Sequence, residues 1–173
     1  MNQKFYVKKS GVSGKGCFAS QDIKKGELIC RMQGKPMSIP QVIRKYEKGT
    51  ERYDDSLQIG VKTYLDLDQP FIYFNHSCNA NAAIVKTNSM IARRNIKKDE
   101  EISYDYSLVE WTDKKSFDDW SYWQMRCRCG ALNCRKYVKH FPLLPKNIQK
   151  NSVRNGFVQD FIVNNYKKEI NRK

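Results

Sequence analysis

The sequence predicts a mostly β domain of several small sheets, followed by a cysteine cluster and a C-terminal amphipathic helix. Three observations carry that expectation. Short apolar runs broken by glycines fill the N-terminal part; apolar residues at three- and four-residue spacing begin at Ser152; Cys127, Cys129 and Cys134 lie between the two patterns. At 173 residues the chain suits one domain with a real core and is short for two. Its 12% aromatic content, with only five prolines and nine glycines, excludes a disordered or fibrous chain.

Residues 5–8, 17–20 and 27–32 read as strands, punctuated by Gly11, Gly14, Gly16 and Gly26. Residues 39–48 predict a short helix, with Val42, Ile43 and Tyr46 on one face and Gly49 as its stop. Strands resume at 57–59, 63–67, 82–86, 90–93 and 101–104. Elements this short and irregular imply several small sheets rather than one sandwich. From Ser152, Val153, Phe157 and Phe161 and then Val158, Ile162, Tyr166 and Ile170 recur at helical spacing. Pro142 and Pro145 separate this helix from the cysteines. Its apolar face is expected to pack on its own domain, with a partner chain as the alternative.

The balance of 32 Lys+Arg against 18 Asp+Glu gives a net charge of +14. Such a charge serves solubility or attracts polyanions, nucleic acid or an acidic protein surface. The positive residues are spread along the chain, so charge alone names no partner. The N-terminus has no apolar run of signal-peptide length, and no stretch is long and apolar enough for a membrane span. Synthesis in the cytosol and a cytoplasmic location are expected, with nucleus or chromatin left open.

Without a secretion signal, metal explains the six cysteines better than disulfides do. Cys17 and Cys30 sit in apolar strand-like runs and read as buried thiols. Four remain, the number that zinc takes. Cys127, Cys129 and Cys134 supply three neighbouring ligands, with Gly130 letting the chain curl back; His140 is the only local substitute for a fourth. With two histidines in all, a Ser-His-Asp hydrolase has little to work with.

Three blocks in order, Asn75-His76-Ser77-Cys78, then Tyr104-Asp105-Tyr106, then Cys127 to Arg135, resemble the paired signature and post-SET tail of SET-domain protein lysine methyltransferases. The resemblance runs from about Phe5 to Val138. It implies a mostly β SET (β-clip) fold of small sheets whose C-terminal segment threads beneath a loop as a pseudoknot. The implied organisation is a SET domain at 5–107, an aromatic connection at 108–126, a post-SET zinc segment at 127–141 and a helical extension at 142–173. No cysteine-rich pre-SET segment precedes it, so the chain resembles compact stand-alone SET proteins, such as those of bacteria and viruses.

The same resemblance implies S-adenosylmethionine as methyl donor and one structural Zn2+ held by Cys78, Cys127, Cys129 and Cys134. Gly14-Lys15-Gly16 matches the glycine motif whose backbone approaches the methionine end of the cofactor, and Asn75 and His76 would contact its amino-acid end. Tyr137 is the adenine-stacking candidate, although Lys136 stands where the family usually has glycine. Tyr106 is the hydroxyl beside the transferring methyl, and Tyr104 occupies the Phe-or-Tyr position that limits methyl number. Trp111, Phe117, Trp120, Tyr122 and Trp123 would wall the lysine channel or pack in the core. Met32 replaces an active-site tyrosine, Ile72 an arginine near the cofactor, and Ala80 a proline.

The expected activity is methyl transfer to a lysine side chain of a protein, a histone first, mainly to the monomethyl state. The alternative is an inactive SET-like module that binds chromatin or nucleic acid through its basic surface. A protein substrate is the expected partner, nucleic acid stays open, no membrane is expected, and the oligomeric state is open.

Overall fold

A computed structural model describes residues 3–49, 55–112 and 124–171. Among these described residues, eleven strands form four small sheets, as the irregular strand pattern implies. β1 (Phe5–Lys9) pairs antiparallel with β2 (Lys15–Ala19), and the turn between them needs the left-handed backbone of Gly14, φ +48. β3 (Leu28–Arg31) is the edge of a second sheet. β4 (Gly34–Ser38) leads directly into the helix α1 (Ile39–Glu47). β5 (Ser56–Gly60) and β6 (Thr63–Leu67) complete a sheet in the order β4-β6-β5. β4 was not expected from sequence because Pro36 argues against a strand. It is an edge strand, where a missing N–H is tolerated.

β7 (Ala82–Val85) and β8 (Ser89–Ala92) form a hairpin that joins β3 in the order β3-β8-β7. The expected strand at 101–104 shortens to β9 (Glu101–Ile102), which pairs with β2. Its continuation crosses the segment around His76. Tyr104 N–H donates to Asn75 O (3.2 Å), Ser77 N–H to Tyr104 O (3.2 Å), and the pair forms a parallel bridge. This crossing is the contact that the implied pseudoknot calls for. The main core lies between these sheets, with Phe5 packing its ring 4.7 Å from that of Phe74 and with Met32, Ile84 and Ile102 fully enclosed. Cys17 is buried and Cys30 half-buried, both free thiols, and burial pushes the Cys30 thiol up to about 12.

Two further strands, β10 (Gln124–Arg126) and β11 (Tyr137–Lys139), pair antiparallel and frame the cysteine loop. The single C-terminal helix expected from Ser152 is instead two, α2 (Lys146–Arg154) and α3 (Asp160–Ile170). Gly156, at φ +66, turns the chain after Asn155. Phe157 N–H donates to Ser152 O (3.0 Å) and Gly156 N–H to Val153 O (3.1 Å), the paired bonds of a Schellman stop. Asn155-Gly156 carries that signal in the sequence, but the apolar spacing runs straight across it.

The apolar faces of α2 and α3 cover their own chain, as expected. They build a second core with Leu108, Trp111, Phe141 and Leu144. Trp111 stacks on Phe141 (5.9 Å, 26°), so it belongs to this core. Phe117, Trp120, Tyr122 and Trp123 of the expected aromatic wall, and the side chain of Tyr46, lie outside the described residues. Buried Gln159 pins α3 to the sheets by donating to Gln58 O (2.9 Å) and Thr87 O (2.5 Å).

Candidate active site and metal cluster

A cleft of about 510 Å³ opens where the β1–β2 turn, the crossing segments and β10 meet. Val12, Ser13, Gly14 and Lys15 of the turn, Asn75, His76 and Tyr106 of the crossing segments, and Arg126, Arg128 and Cys129 from the cysteine loop and its strand all line it. Its volume falls in the range of small-molecule sites, about 300–1,000 Å³. Lys15, Asn75, His76 and Tyr106, expected from sequence, are therefore brought together. Ile72, where the sequence resemblance leads to an expectation of arginine, also lines it.

Asn75 shapes this cleft by tying the glycine turn to β9. Its amide has two hydrogens, and its shortest contacts are Glu101 Oε1 (2.7 Å) and Lys15 O (3.0 Å). Glu101 also accepts from Ser10 Oγ (2.8 Å), so three segments meet at one carboxylate. A Cβ on Gly16 would overlap that carboxylate, standing 2.9 Å from Glu101 Cδ and 3.0 Å from Ser10 Cβ. Gly16 thus leaves room for the Glu101 carboxylate, a partner the sequence did not suggest. Lys15 extends its ammonium 5.1 Å from the centre of the Tyr73 ring.

Tyr104 and Tyr106 are both buried, with ring centres 4.7 Å apart. The Tyr106 hydroxyl donates to Phe74 O (2.8 Å), which fixes its direction and leaves its oxygen lone pairs unspent by that bond. The imidazole of His76 stands edge-on to the Tyr106 ring at 5.3 Å. Burial pushes His76 down to about 4, against the upward pull of Asp105, so the ring is neutral at physiological pH. Met32, where the resemblance implies a tyrosine, is completely enclosed in the core.

Tyr137 does not line the main cleft. It is 46% exposed on β11, opposite Arg126, and borders a neighbouring depression with Arg126, Cys127, Arg128 and Lys136. Arg126 and Arg128 line both hollows and thus connect them. These two arginines were missed from sequence; the available signal was their position on either side of Cys127. Lys136 has a left-handed backbone, φ 68, a conformation that favours glycine.

Bordering the cleft, a ring nitrogen of His76 and the sulfurs of Cys78, Cys127 and Cys129 all lie within 4.8 Å of one another and could hold a metal ion. Cys134, the fourth ligand expected from sequence, is not in that group of four; its sulfur accepts from Lys136 N–H (3.4 Å). Two sulfurs on one tetrahedral zinc, at about 2.3 Å each, are about 3.8 Å apart; Cys78 Sγ and Cys127 Sγ are 3.8 Å apart. Burial pushes the Cys78 thiol up to about 11 and that of Cys127 up as well. Burial also raises Cys129, but the N–H groups of Cys78 and Ala131 and the neighbouring thiols bring it down to about 7. Without a metal the Cys78 and Cys127 thiols would therefore stay protonated, and a dication is what deprotonates them. The donor set fits zinc.

Residues 14–107, more than half of the chain, match the SET domain, and the chain belongs to the SET-domain family. It is 32% identical over 151 residues to the histone-lysine N-methyltransferase trr of Drosophila melanogaster, covering 77% of this chain and 6% of that protein. It is 27% identical over 161 residues to the probable histone-lysine N-methyltransferase set-23 of Caenorhabditis briggsae, covering 80% of this chain and 61% of the relative. The chain thus spans a small part of some relatives and less than two thirds of the other. The methyltransferase domain of the human histone-lysine N-methyltransferase SETMAR has the same fold, with a TM-score of 0.61 at 20% identity over 81% of this chain and 59% of that one. Among the described residues, no helix is long and apolar enough to cross a membrane.

Proposed function

We propose that this chain transfers a methyl group from S-adenosylmethionine to the side-chain amine of a lysine in a protein, with histones as the first substrates to try. The observation that carries the proposal is the convergence of the glycine turn, Asn75, His76 and Tyr106 on one cleft in a SET-family chain. Histone-lysine methyltransferases among its relatives support the substrate class and a nuclear or chromatin site of action.

When bound, S-adenosylmethionine supplies a sulfonium methyl, a strong electrophile. Gly14, Lys15, Asn75 and the His76 backbone would hold its amino-acid end, with Arg126, Arg128 and Tyr137 towards the base. The lysine amine must arrive neutral, although its ordinary pKa is near 10.4. Desolvation beside the Tyr104–Tyr106 pair disfavours the ammonium, so no strong base is needed. What remains is alignment, worth several kcal/mol in a well-oriented pair. The Tyr106 hydroxyl, held in direction by Phe74 O, contributes that alignment. Zinc held by Cys78, Cys127, Cys129 and Cys134 would fasten the tail bearing Arg128 and Tyr137 to the cleft.

Tyr104 keeps a hydroxyl at the position that limits methyl number, which supports monomethylation. Labelled methyl donor, offered with histones, nucleosomes and cell lysate, tests the activity. A labelled protein band whose mass spectrum shows monomethyl-lysine is expected, with Tyr104→Phe shifting product towards di- and trimethyl-lysine. Trimethyl-lysine from the unsubstituted chain would refute the product assignment.

A second reading has its own support. Met32 stands where the resemblance implies a tyrosine and the net charge is +14, as a non-catalytic chromatin-binding module would allow. Calorimetry separates the two, because only the enzyme binds the methyl donor.

A further inference from the structure

We propose that His76, as its Nε2–H tautomer, is a positioning residue that joins the metal cluster to Tyr106, donating to the Cys78 sulfur while accepting the Tyr106 backbone N–H. The inference rests on the zinc site proposed above but not on methyl transfer.

His76 lies between two partners. Its Nε2 is 3.4 Å from Cys78 Sγ, and its Nδ1 is 3.1 Å from the Tyr106 nitrogen. The first distance alone does not decide between a ligand and a hydrogen-bond donor. A nitrogen and a sulfur bound to one tetrahedral zinc are about 3.5 Å apart, much as in an N–H···S bond.

Proton counting decides. A zinc-binding Nε2 carries no hydrogen, so the neutral ring would have to carry it on Nδ1. Nδ1 faces the Tyr106 N–H, which can only donate. Two N–H groups would then oppose each other at 3.1 Å in a buried site. The carboxylate nearest to Nδ1, Asp105 Oδ1, is 3.6 Å away, outside hydrogen-bonding range. It already accepts from Arg135 (2.6 Å) and from Ser107 N–H (3.1 Å). Nδ1 is therefore the acceptor and Nε2 bears the hydrogen. With Nε2 occupied by its own proton, His76 leaves the ligand set, and the fourth zinc ligand is the Cys134 that the family resemblance implies.

The sulfurs are surrounded by the N–H groups that zinc thiolates attract. Cys78 Sγ accepts from Arg135 N–H (3.4 Å) besides His76, Cys129 Sγ from Cys78 N–H (3.5 Å), and Cys134 Sγ from Lys136 N–H (3.4 Å). Arg135 makes a second tie. Its backbone meets Cys78 and its guanidinium meets Asp105, whose carboxylate caps the turn Tyr106–Leu108. Metal, Cys78, His76 and Tyr106 thus form one continuous connection, with Arg135 and Asp105 running beside it.

The test uses the full zinc-loaded chain and needs no methylation assay. X-ray absorption at the zinc edge should show sulfur at about 2.3 Å and no nitrogen at about 2.0–2.1 Å. Nitrogen-15 NMR of the His76 ring should show hydrogen on Nε2 and a free acceptor at Nδ1. A zinc–nitrogen shell, or hydrogen on Nδ1, overturns the proposal. His76→Asn keeps an acceptor for Tyr106 N–H and removes the donor to Cys78. Zinc competition by a chelator should then show one metal per chain held about 10–100-fold more weakly, the usual effect of losing such a partner. Unchanged affinity would remove the N–H···S bond from the account. The two spectroscopic results on the unsubstituted chain decide the matter even where that variant does not fold.

Discussion

Replacing Gly16 by alanine tests whether the candidate site is organised around Glu101. The added Cβ overlaps Glu101 Oε1, and Cδ, 2.9 Å away, must retreat by at least about 0.5 Å to reach the 3.4 Å of ordinary contact. The carboxylate is the mobile end of its side chain, but it is held by Asn75 Nδ2 at 2.7 Å and Ser10 Oγ at 2.8 Å. Hydrogen bonds to charged groups contribute about 1.5–3 kcal/mol each, and in this half-buried setting water replaces part of the loss. A destabilisation of about 2 kcal/mol follows, with weaker methyl-donor binding because Asn75 loses its anchor. Denaturant titration gives the first quantity and calorimetry the second. In a Glu101→Ala background the same Gly16→Ala change should cost less, since the nearest obstacle is gone and only the 3.0 Å approach to Ser10 Cβ remains. Equal costs in the two backgrounds, or a loss below about 0.5 kcal/mol in the parent, would refute the reasoning.

Lys136→Gly should stabilise the chain by about 0.5–1 kcal/mol by denaturant titration, because φ 68 strains any side chain and glycine adopts it freely. Glu110 is buried beside the Tyr64 hydroxyl (3.4 Å), and burial lifts its pKa to about 8. The folded state therefore holds a proton that the unfolded state releases near pH 4.5, so stability falls as pH rises from there through about 8. Glu110→Gln should flatten that decline in melting experiments and raise stability most above pH 8; an unchanged slope counts against it. Tyr106→Phe should lower kcat far more than it weakens cofactor binding, and should cost about 1–3 kcal/mol of stability because Phe74 O loses its buried donor. Asn75→Ala should raise the apparent cofactor KM, and an unchanged value would take Asn75 out of the binding site.

What the sequence revealed and what it concealed divide along the distance between a residue and its cause. Asn75-His76 and Tyr104-Asp105-Tyr106 were readable because each is a short contiguous block within the stretch that matches the SET domain. The small sheets were readable because glycine punctuation is local. β4 was hidden by Pro36, β10 and β11 by their brevity and their polar residues, and the stop at Gly156 by apolar spacing that continues past it. Arg126 and Arg128 enter the cleft only through the pairing of β10 with a strand beyond the cysteine loop. The tripeptide Gly14-Lys15-Gly16 shows the limit most sharply. Gly14 has open space where a Cβ would stand but holds φ +48, so its need is conformational. Gly16 needs no left-handed backbone, but Glu101 from a distant strand occupies the place of its Cβ. One letter thus records two unrelated physical requirements, a backbone angle and an excluded volume. The folded chain separates them because only the second disappears when a residue far along the sequence is changed.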